Sequence, residues 1–351
     1  MILMEQYIIN EGATLLEALE RLNSLSGKQM VLLVVDKNRV MQGTLTDGDV
    51  RRALLKGVSL SADVKDAMHC DFKAIKGEVV DVNLMRRCRL NGVGLLPHLK
   101  EDGTIKTIYD LTKTKAVLPL SAILMAGGKG ERLRPLTLTT PKPLLEIGGK
   151  AIIDYNIEAL ASVGITDITV TTRYLAEQIH EHFALPIAGV NVKCIEETLP
   201  LGTIGAASLV SRKDEGATLV MNSDLLTTIS FEEMYMRHIE EHADVTIAAI
   251  PYVVSVPYAI LSIEDNQVKN IEEKPSYSYY ANAGIYIFSN KLLNTLPTDS
   301  RTDATDLIEQ AINNGNKVSY YPINGTWIDI GSPNDFKQAQ DLMRHHNDLI
   351  K

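Results

Sequence analysis

The sequence predicts an α/β protein with a mostly parallel, mixed sheet covered by helices, preceded by a smaller α+β unit. Three observations carry this. From Leu120 onward, short apolar runs alternate with helix-period stretches. Before that point one pattern occurs twice, ending in Thr46-Asp-Gly-Asp49 and again in Thr107-Ile-Tyr-Asp110. Between the two regions, residues 112–119 are polar and close on a proline, which reads as a linker. The expected boundaries are a tandem module over 1–115, a linker over 116–120 and the α/β domain over 121–351.

In chain order, Leu15, Leu16, Leu19 and Leu22 fall at helical spacing and are followed by an apolar run at 30–35 and a turn at 36–38. The second copy repeats this with Val79, Val80, Val82, Leu84 and Met85, then an apolar run from Val93. A β-α-β-β-α unit of this size buries its sheet poorly alone, so the copies should share one core. After the linker, the apolar run at 122–126 meets Gly127-Gly-Lys-Gly130 at once. Helices follow at Ile152–Ser162 and Ala176–His182, with another over 205–210. Strands are expected at Ile168–Thr172, 190–195 and 218–221. The runs at 245–250, 259–263, 267–271 and 284–288 lie close enough to include antiparallel pairs. Residues 333–349 form an amphipathic C-terminal helix.

Composition bounds the function. The 351 residues are 45% apolar and 23% charged, which excludes a disordered or fibrous chain. A net charge of −9 provides no basic field for nucleic acid. Three cysteines without CxxC spacing argue against a disulfide framework and a four-thiolate zinc site. Residues 1–7 lack a signal-peptide pattern, and no apolar run reaches the ~18–20 residues of a membrane span. A cytoplasmic enzyme with no membrane partner is expected. His238 and His242 lie four apart, but in a charge-rich segment that reads as a solvated helix face rather than a zinc site.

The chemistry-bearing residues lie in the second region. A glycine-rich turn leaving a strand lets backbone N–H groups approach phosphate oxygens, and Arg132 and Arg134 add cationic forks. A plain strand–helix turn fits the same residues. The turn is neither a Walker loop nor the dinucleotide fingerprint, since the required glycines and Gly-Lys-Ser/Thr ending are missing. Pro141-Lys142-Pro143 restrains one lysine between two rigid residues, as a phosphate-reading lysine would need, although a loop lysine in a polyproline-II turn fits the same residues. The apolar run before Asn222-Ser223-Asp224 places a carboxylate at the end of a strand, where α/β sheets bind ligands or simply turn. Asp329, in Trp327-Ile-Asp-Ile-Gly331, is a carboxylate in an apolar run and needs a partner such as a metal ion, a helix cap or a cation.

Six segments in order resemble the sugar-phosphate nucleotidyltransferases: Leu124-Met-Ala-Gly-Gly-Lys-Gly-Glu-Arg-Leu-Arg-Pro-Leu-Thr137, Pro141-Lys-Pro-Leu144, Asn222-Ser-Asp224, Glu272-Glu-Lys-Pro275, Asn282-Ala-Gly-Ile-Tyr286 and Trp327-Ile-Asp-Ile-Gly331. The resemblance covers about residues 120–342 and implies a Rossmann-like (glycosyltransferase-A-like) fold. Residues 8–115, above all Thr46-Asp-Gly-Asp49-Val-Arg-Arg, resemble a pair of CBS domains. The first resemblance implies that Leu124, Ala126, Gly127, Gly128, Gly130 and Arg132 bind a nucleoside triphosphate, with Glu197 and Gly202 beside its base. Arg134 and Lys142 would act on the phosphates, and Asp224 and Asp329 would hold Mg²⁺. Glu273, Lys274, Asn282 and Gly284 would take the sugar 1-phosphate. Ser223 stands where many relatives have Gly, as does Ala259, which leaves the sugar open.

The resemblance is strongest to guanylyltransferases, through Leu199-Pro-Leu-Gly-Thr-Ile-Gly205 and Thr305-Asp-Leu-Ile308. It implies GTP as donor and, from the CBS fusion, glucosamine 1-phosphate before mannose 1-phosphate as acceptor, in surface-glycan or legionaminic-type acid synthesis. Cytidylyl, uridylyl or thymidylyl transfer and a catalytically silent nucleotide sensor are the alternatives. The CBS resemblance implies an adenine-nucleotide effector at Thr46/Asp49 and Thr107/Asp110, with a purely structural or dimerising module as the alternative, and a homo-oligomer.

Overall fold

In the computed structural model, which describes residues 4–298 and 300–350, the front repeat becomes two copies of one topology. The first copy comprises β1 (Ile8–Asn10), α1 (Leu15–Ser24), β2 (Val31–Val35), β3 (Met41–Thr46) and α2 (Asp47–Leu55). The second comprises β4 (Ile75–Lys76), α3 (Val82–Leu90), β5 (Leu95–Leu99) and β6 (Ile105–Asp110). In each, the first strand runs parallel to the second and the third antiparallel to it. Helix α1 starts where Thr14 accepts the Glu17 N–H and Glu17 accepts the Thr14 N–H, which satisfies two otherwise open donors. Leu95, Leu99 and Ile108 of the second copy share a core with Leu32, Leu33, Leu45 and Val50 of the first. The copies thus complete each other's core, as so small a repeat requires.

The register corrects one sequence expectation. Val31 pairs with Thr46, and Leu95 pairs with Asp110. Asp110 therefore answers to Thr46, and Thr107 answers to Gly43 in mid-strand. Among the described residues no helix follows β6 before Leu120. Asp110 instead accepts the N–H and hydroxyl of Thr112, at 3.0 and 2.5 Å. Thr107/Asp110 is not a second Thr46/Asp49, because a four-residue match carries too little information to fix a strand register.

The chain divides into two compact units, Met1–Pro119 and Leu120–Lys351. The second contains β7 (Leu120–Ala126), β8 (Glu146–Ile147), β9 (Lys150–Ala151), α4 (Ile152–Ser162), β10 (Ile168–Thr172), α5 (Ala176–His182), β11 (Lys193–Glu196), β12 (Ala217–Asn222), β13 (Leu225–Thr227) and α6 (Phe231–Glu240). It continues with β14 (Val245–Ser255), β15 (Ile260–Glu264), β16 (Gln267–Glu272), β17 (Ser276–Ser289), α7 (Asn290–Leu293), α8 (Ala304–Asn313), β18 (Val318–Pro322), β19 (Trp327–Asp329) and α9 (Pro333–Ile350). Seven strands form one sheet in the order β11-β10-β7-β12-β17-β14-β18. Strand β17 is antiparallel to both neighbours and the other adjacent pairs are parallel. From β7 the chain builds outward through β10 and β11, then returns to place β12 on the other side. That reversal between β7 and β12 is where α/β sheets open a crevice.

Two cores fix this region. Helices α7 and α8 add Leu292, Leu293, Leu307 and Ala311 to Val220 and Phe288 of the sheet. A smaller cluster joins Leu133, Leu145 and Ile152 to Leu226, Ile328 and Ala339, so the β7–α4 connection rests on β13, β19 and α9.

Several expected elements shift. The strand expected at 190–195 begins at Lys193, because Ala188 and Gly189 adopt positive φ and turn Ile187 back onto Val190. The helix at 205–210 is a 3-10 turn over Gly205–Leu209. Strands β14 and β17 outrun their predicted lengths and project together as an arm carrying the β15–β16 hairpin. His238 is buried and bonds Thr246 Oγ1 at 2.9 Å, and His242 lies beyond the helix end, so the pair is not a solvated face. Cys70, Cys88 and Cys194 are free. No described helix is long and apolar enough to cross a membrane.

Candidate active site

A cleft of about 630 Å³ opens at the carboxyl ends of β7 and β12. Ala126, Gly127, Gly128, Gly130 and Arg132 line one side, where β7 runs into the glycine-rich turn. Close packing explains two of these glycines. A Cβ on Gly127 would fall 2.6 Å from Glu197 Oε1. Gly130 has φ of 61°, and a Cβ there would meet Thr137 Cγ2 at 2.9 Å and Lys142 Cβ at 3.2 Å. Thr137 is buried and donates its hydroxyl to the Gly130 carbonyl at 2.8 Å. The turn is thereby strapped to the segment that carries Lys142.

Lys142 stands on a 3-10 turn between its two prolines and bonds Asp224 Oδ2. Its Nζ lies 3.8 Å from Asp329 Oδ1. The two carboxylates are brought together by the antiparallel ladder of β13 and β19, in which Leu225 pairs with Asp329. Ile330 N–H also donates to the Asp224 carbonyl at 3.1 Å. Ser223 secures the end of β12, donating its hydroxyl to the Met125 carbonyl at 2.7 Å. Burial raises the Asp329 pKa, Asp224 raises it further, and Lys142 and Arg132 pull it back. Asp224 Oδ1 is buried and has no hydrogen-bond partner among the described residues. One cation between two carboxylates, with an oxygen left open, is a hard-oxygen donor set that fits Mg²⁺.

Glu197 is buried beside the first residue of the turn, and burial raises its pKa above the ordinary carboxylate value. Its segment continues to Gly202 and Thr203, which also border the cleft. Thr203 N–H donates to Asp303 Oδ1 at 2.9 Å, and this bond, against the opposing effect of burial, holds the Asp303 pKa down.

Not every predicted residue reaches the cleft. Leu124 is wholly buried within β7 and does not line it, since that strand position faces the core; Met125 and Ala126 reach the rim instead. Arg134 points to solvent, 3.6 Å from Glu131. Glu273 and Lys274 stand exposed on the arm, outside the lining residues. Asn282 accepts the Gly284 N–H at 3.0 Å and donates to the Tyr286 hydroxyl at 2.9 Å. Gly284 lies against Asn222, which lines the cleft, while neither Asn282 nor Gly284 does so itself. Conversely, Arg173 and Arg301 line the cleft and escaped sequence reasoning. Arg173 follows directly on β10, a position that could have been found from the strand's end. Arg301 lies in the lead-in to α8 and carried no such signal.

A glycine turn, four lining or adjacent cations and a carboxylate pair at the sheet's switch point define a nucleotide-handling α/β transferase. The comparisons agree. Residues 121–346 match the nucleotidyl transferase family, and the chain belongs to it. Similar curated proteins include a mannose-1-phosphate guanyltransferase of Neurospora crassa, 34% identical over 227 residues that make up 62% of each chain. Another is that of Saccharomyces cerevisiae, 32% identical over 66% of each chain. The match thus spans less than two thirds of these relatives' length. HddC from Yersinia pseudotuberculosis shares the fold, with a TM-score of 0.50 and 24% identity over 64% of this chain and 99% of that one.

Proposed function

We propose that the second unit transfers GMP from GTP to a sugar 1-phosphate, releasing pyrophosphate. The observation that carries this is Lys142 set between Asp224 and Asp329 at the mouth of a glycine-lined cleft. A sugar phosphate with its second pKa near ~6 is largely dianionic at neutral pH and needs no side-chain base. Its oxygen forms a bond to the α-phosphorus as the bond to the β-phosphate oxygen breaks, and pyrophosphate carries away the charge. What the reaction lacks is neutralisation and alignment of two anions. Lys142 supplies a positive charge at the reacting phosphate, and Gly127, Gly128 and Gly130 admit the triphosphate to backbone N–H groups. Arg132 adds positive charge beside the glycine turn, while Arg173 near Glu197 and Arg301 beside Asp303 line the wall that carries Glu197 and Gly202. Asp224 and Asp329 would hold Mg²⁺, which when bound offsets the charge on the phosphate oxygens.

Glu197 supports guanine as the base. A carboxylate accepts from guanine N1–H and N2–H₂ together, and offers nothing comparable to uracil or thymine. The names of the curated relatives point the same way and favour mannose 1-phosphate as acceptor. Glucosamine 1-phosphate, and with it a surface-glycan or legionaminic-type route, rests only on the resemblance of the first unit to a CBS pair. For that unit we propose an adenine-nucleotide effector at Thr46/Asp49 alone. Asp49 closes the α2 cap with Thr46 and pairs with Arg52, so its replacement alters the helix as well as any ligand contact. Asp49→Asn keeps an acceptor for the Thr46 N–H and removes the carboxylate, so it should abolish adenine-nucleotide binding there with unchanged far-UV circular dichroism, and unchanged affinity removes the site.

Pyrophosphate release with Mg²⁺, across the four nucleoside triphosphates and mannose, glucosamine, glucose and heptose 1-phosphates, tests the reading. Release with GTP and one sugar phosphate, lost in Asp224→Asn, is the expected result. Release with a different nucleotide removes the guanine assignment, and binding without turnover by any pair leaves the silent sensor.

A further inference from the structure

We infer that Tyr174, seconded by Gln178, is a positioning residue that holds Lys142 and the glycine turn in place for the transfer proposed above, on which its kinetic consequence rests. The segment it grips has little else to fix it. Residues Leu136–Leu138 make a single 3-10 turn in which the two leucines stand 45% and 54% exposed, and only Thr137 is buried. The chain then runs to Pro141, so the last carbonyls of the turn meet no further helical N–H. Side chains from the β10–α5 connection take them instead. The Tyr174 hydroxyl donates to the Thr137 carbonyl at 2.9 Å and reaches the Leu138 carbonyl at 3.4 Å. Gln178 Nε2 donates to the Thr139 carbonyl at 2.9 Å. Two side chains thus hold three consecutive carbonyls.

The grip falls where the phosphate-handling parts join. Thr137 offers its carbonyl to Tyr174 and donates its own hydroxyl to the Gly130 carbonyl at 2.8 Å. Lys142 follows three residues after Thr139. On the other side of Tyr174, Arg173 lines the cleft and acts on Glu197. Leu175 takes a φ of 50°, a left-handed conformation that a residue with a Cβ rarely adopts. Such strain persists where neighbouring structure over-determines it. The end of β10 therefore ties the wall that carries Glu197 to the segment that carries Lys142. A partly exposed hydroxyl–carbonyl bond adds little to folding, whereas misplacing a reacting group by about 1 Å costs the rate on the order of a hundredfold. The bond thus matters more to turnover than to stability.

Tyr174→Phe removes the hydroxyl and keeps the ring. Hydrogen–deuterium exchange read by mass spectrometry should quicken about tenfold over residues 130–142 and keep its wild-type rates over α6 and α8. In the pyrophosphate-release assay kcat per folded molecule should fall about 10- to 100-fold, with a smaller change in KM for GTP. Gln178→Leu should move both readouts the same way by less. Tyr321→Phe, which deletes a hydroxyl bond to Glu233 of 2.9 Å, should move neither. If Tyr174→Phe does not fold, Gln178→Leu must give both changes by itself. Wild-type exchange over 130–142, an unchanged kcat per folded molecule, or an equal loss from Tyr321→Phe overturns the proposal. A wild type that turns over no substrate pair sinks the transfer reading separately, and the exchange rates alone then decide whether Tyr174 holds the segment.

Discussion

The surroundings of Asp329 disfavour its charged form. Burial first, and then Asp224, raise its folded pKa, so protonation favours the fold and the ionised form opposes it. Asp329→Asn should therefore raise the melting temperature at pH 7 while removing turnover; a lower melting temperature with turnover lost would leave the residue a purely structural role. Glu197 gives the matching test for the base. Glu197→Gln replaces one acceptor with a donor, which should cost about 1–3 kcal/mol of discrimination. Read as kcat/KM, GTP should lose about 5- to 150-fold relative to UTP, and an unchanged ratio would move the base elsewhere.

The glycine turn is an element whose shape depends on its neighbours. Gly130 is left-handed and touches both Thr137 and Lys142. Gly130→Ala should cost about 1–2 kcal/mol from backbone strain and displace Lys142, so kcat should fall further than the loss of folded protein explains. Thermal melting and kinetics on one preparation check this. Much of the element level was legible. The strand before Gly127, helix α4, helix α5 and strand β10 follow from periodicity and punctuation alone. The cleft-lining glycines, Lys142 and Asp224 stood beside those breaks, where a strand must end. What periodicity cannot supply is destination. The runs at 259–271 alternate as strands should, yet nothing local says that they leave the sheet and project. Glu273 and Lys274 go with them, away from the lining where resemblance puts them. Arg173 stood at the end of β10 and was open to the same reasoning, whereas Arg301 reaches the cleft from the lead-in to α8, which only tertiary packing decides.

Across the whole molecule, the buried titratable groups set the response to pH. His238 sits under β14 with its Nδ1 on Thr246, and burial lowers its pKa to about 4 despite the opposing charge of Asp244. The unfolded chain binds this proton near pH 6.5 and the folded chain does not, so stability is full above that value. It should decline as the pH falls from about 6.5 towards 4, by on the order of 3 kcal/mol at most. Urea unfolding across that window should show the slope, and His238→Asn, which keeps a group able to bond Thr246, should flatten it. The sequence showed this histidine only as half of an i, i+4 pair, because burial belongs to α6 and the sheet together. The repeat in the first unit was legible as a repeat but not in its register, which the β2–β3 and β5–β6 ladders decide. The β13–β19 ladder has a further consequence for how the protein is made. Asp224 leaves the ribosome long before Asp329, and the two meet only when a strand near the end of the chain is laid beside β13. A nascent chain can complete its glycine turn and Lys142 and still lack half of its carboxylate pair, so translation itself delays the chemistry until the second unit is nearly finished.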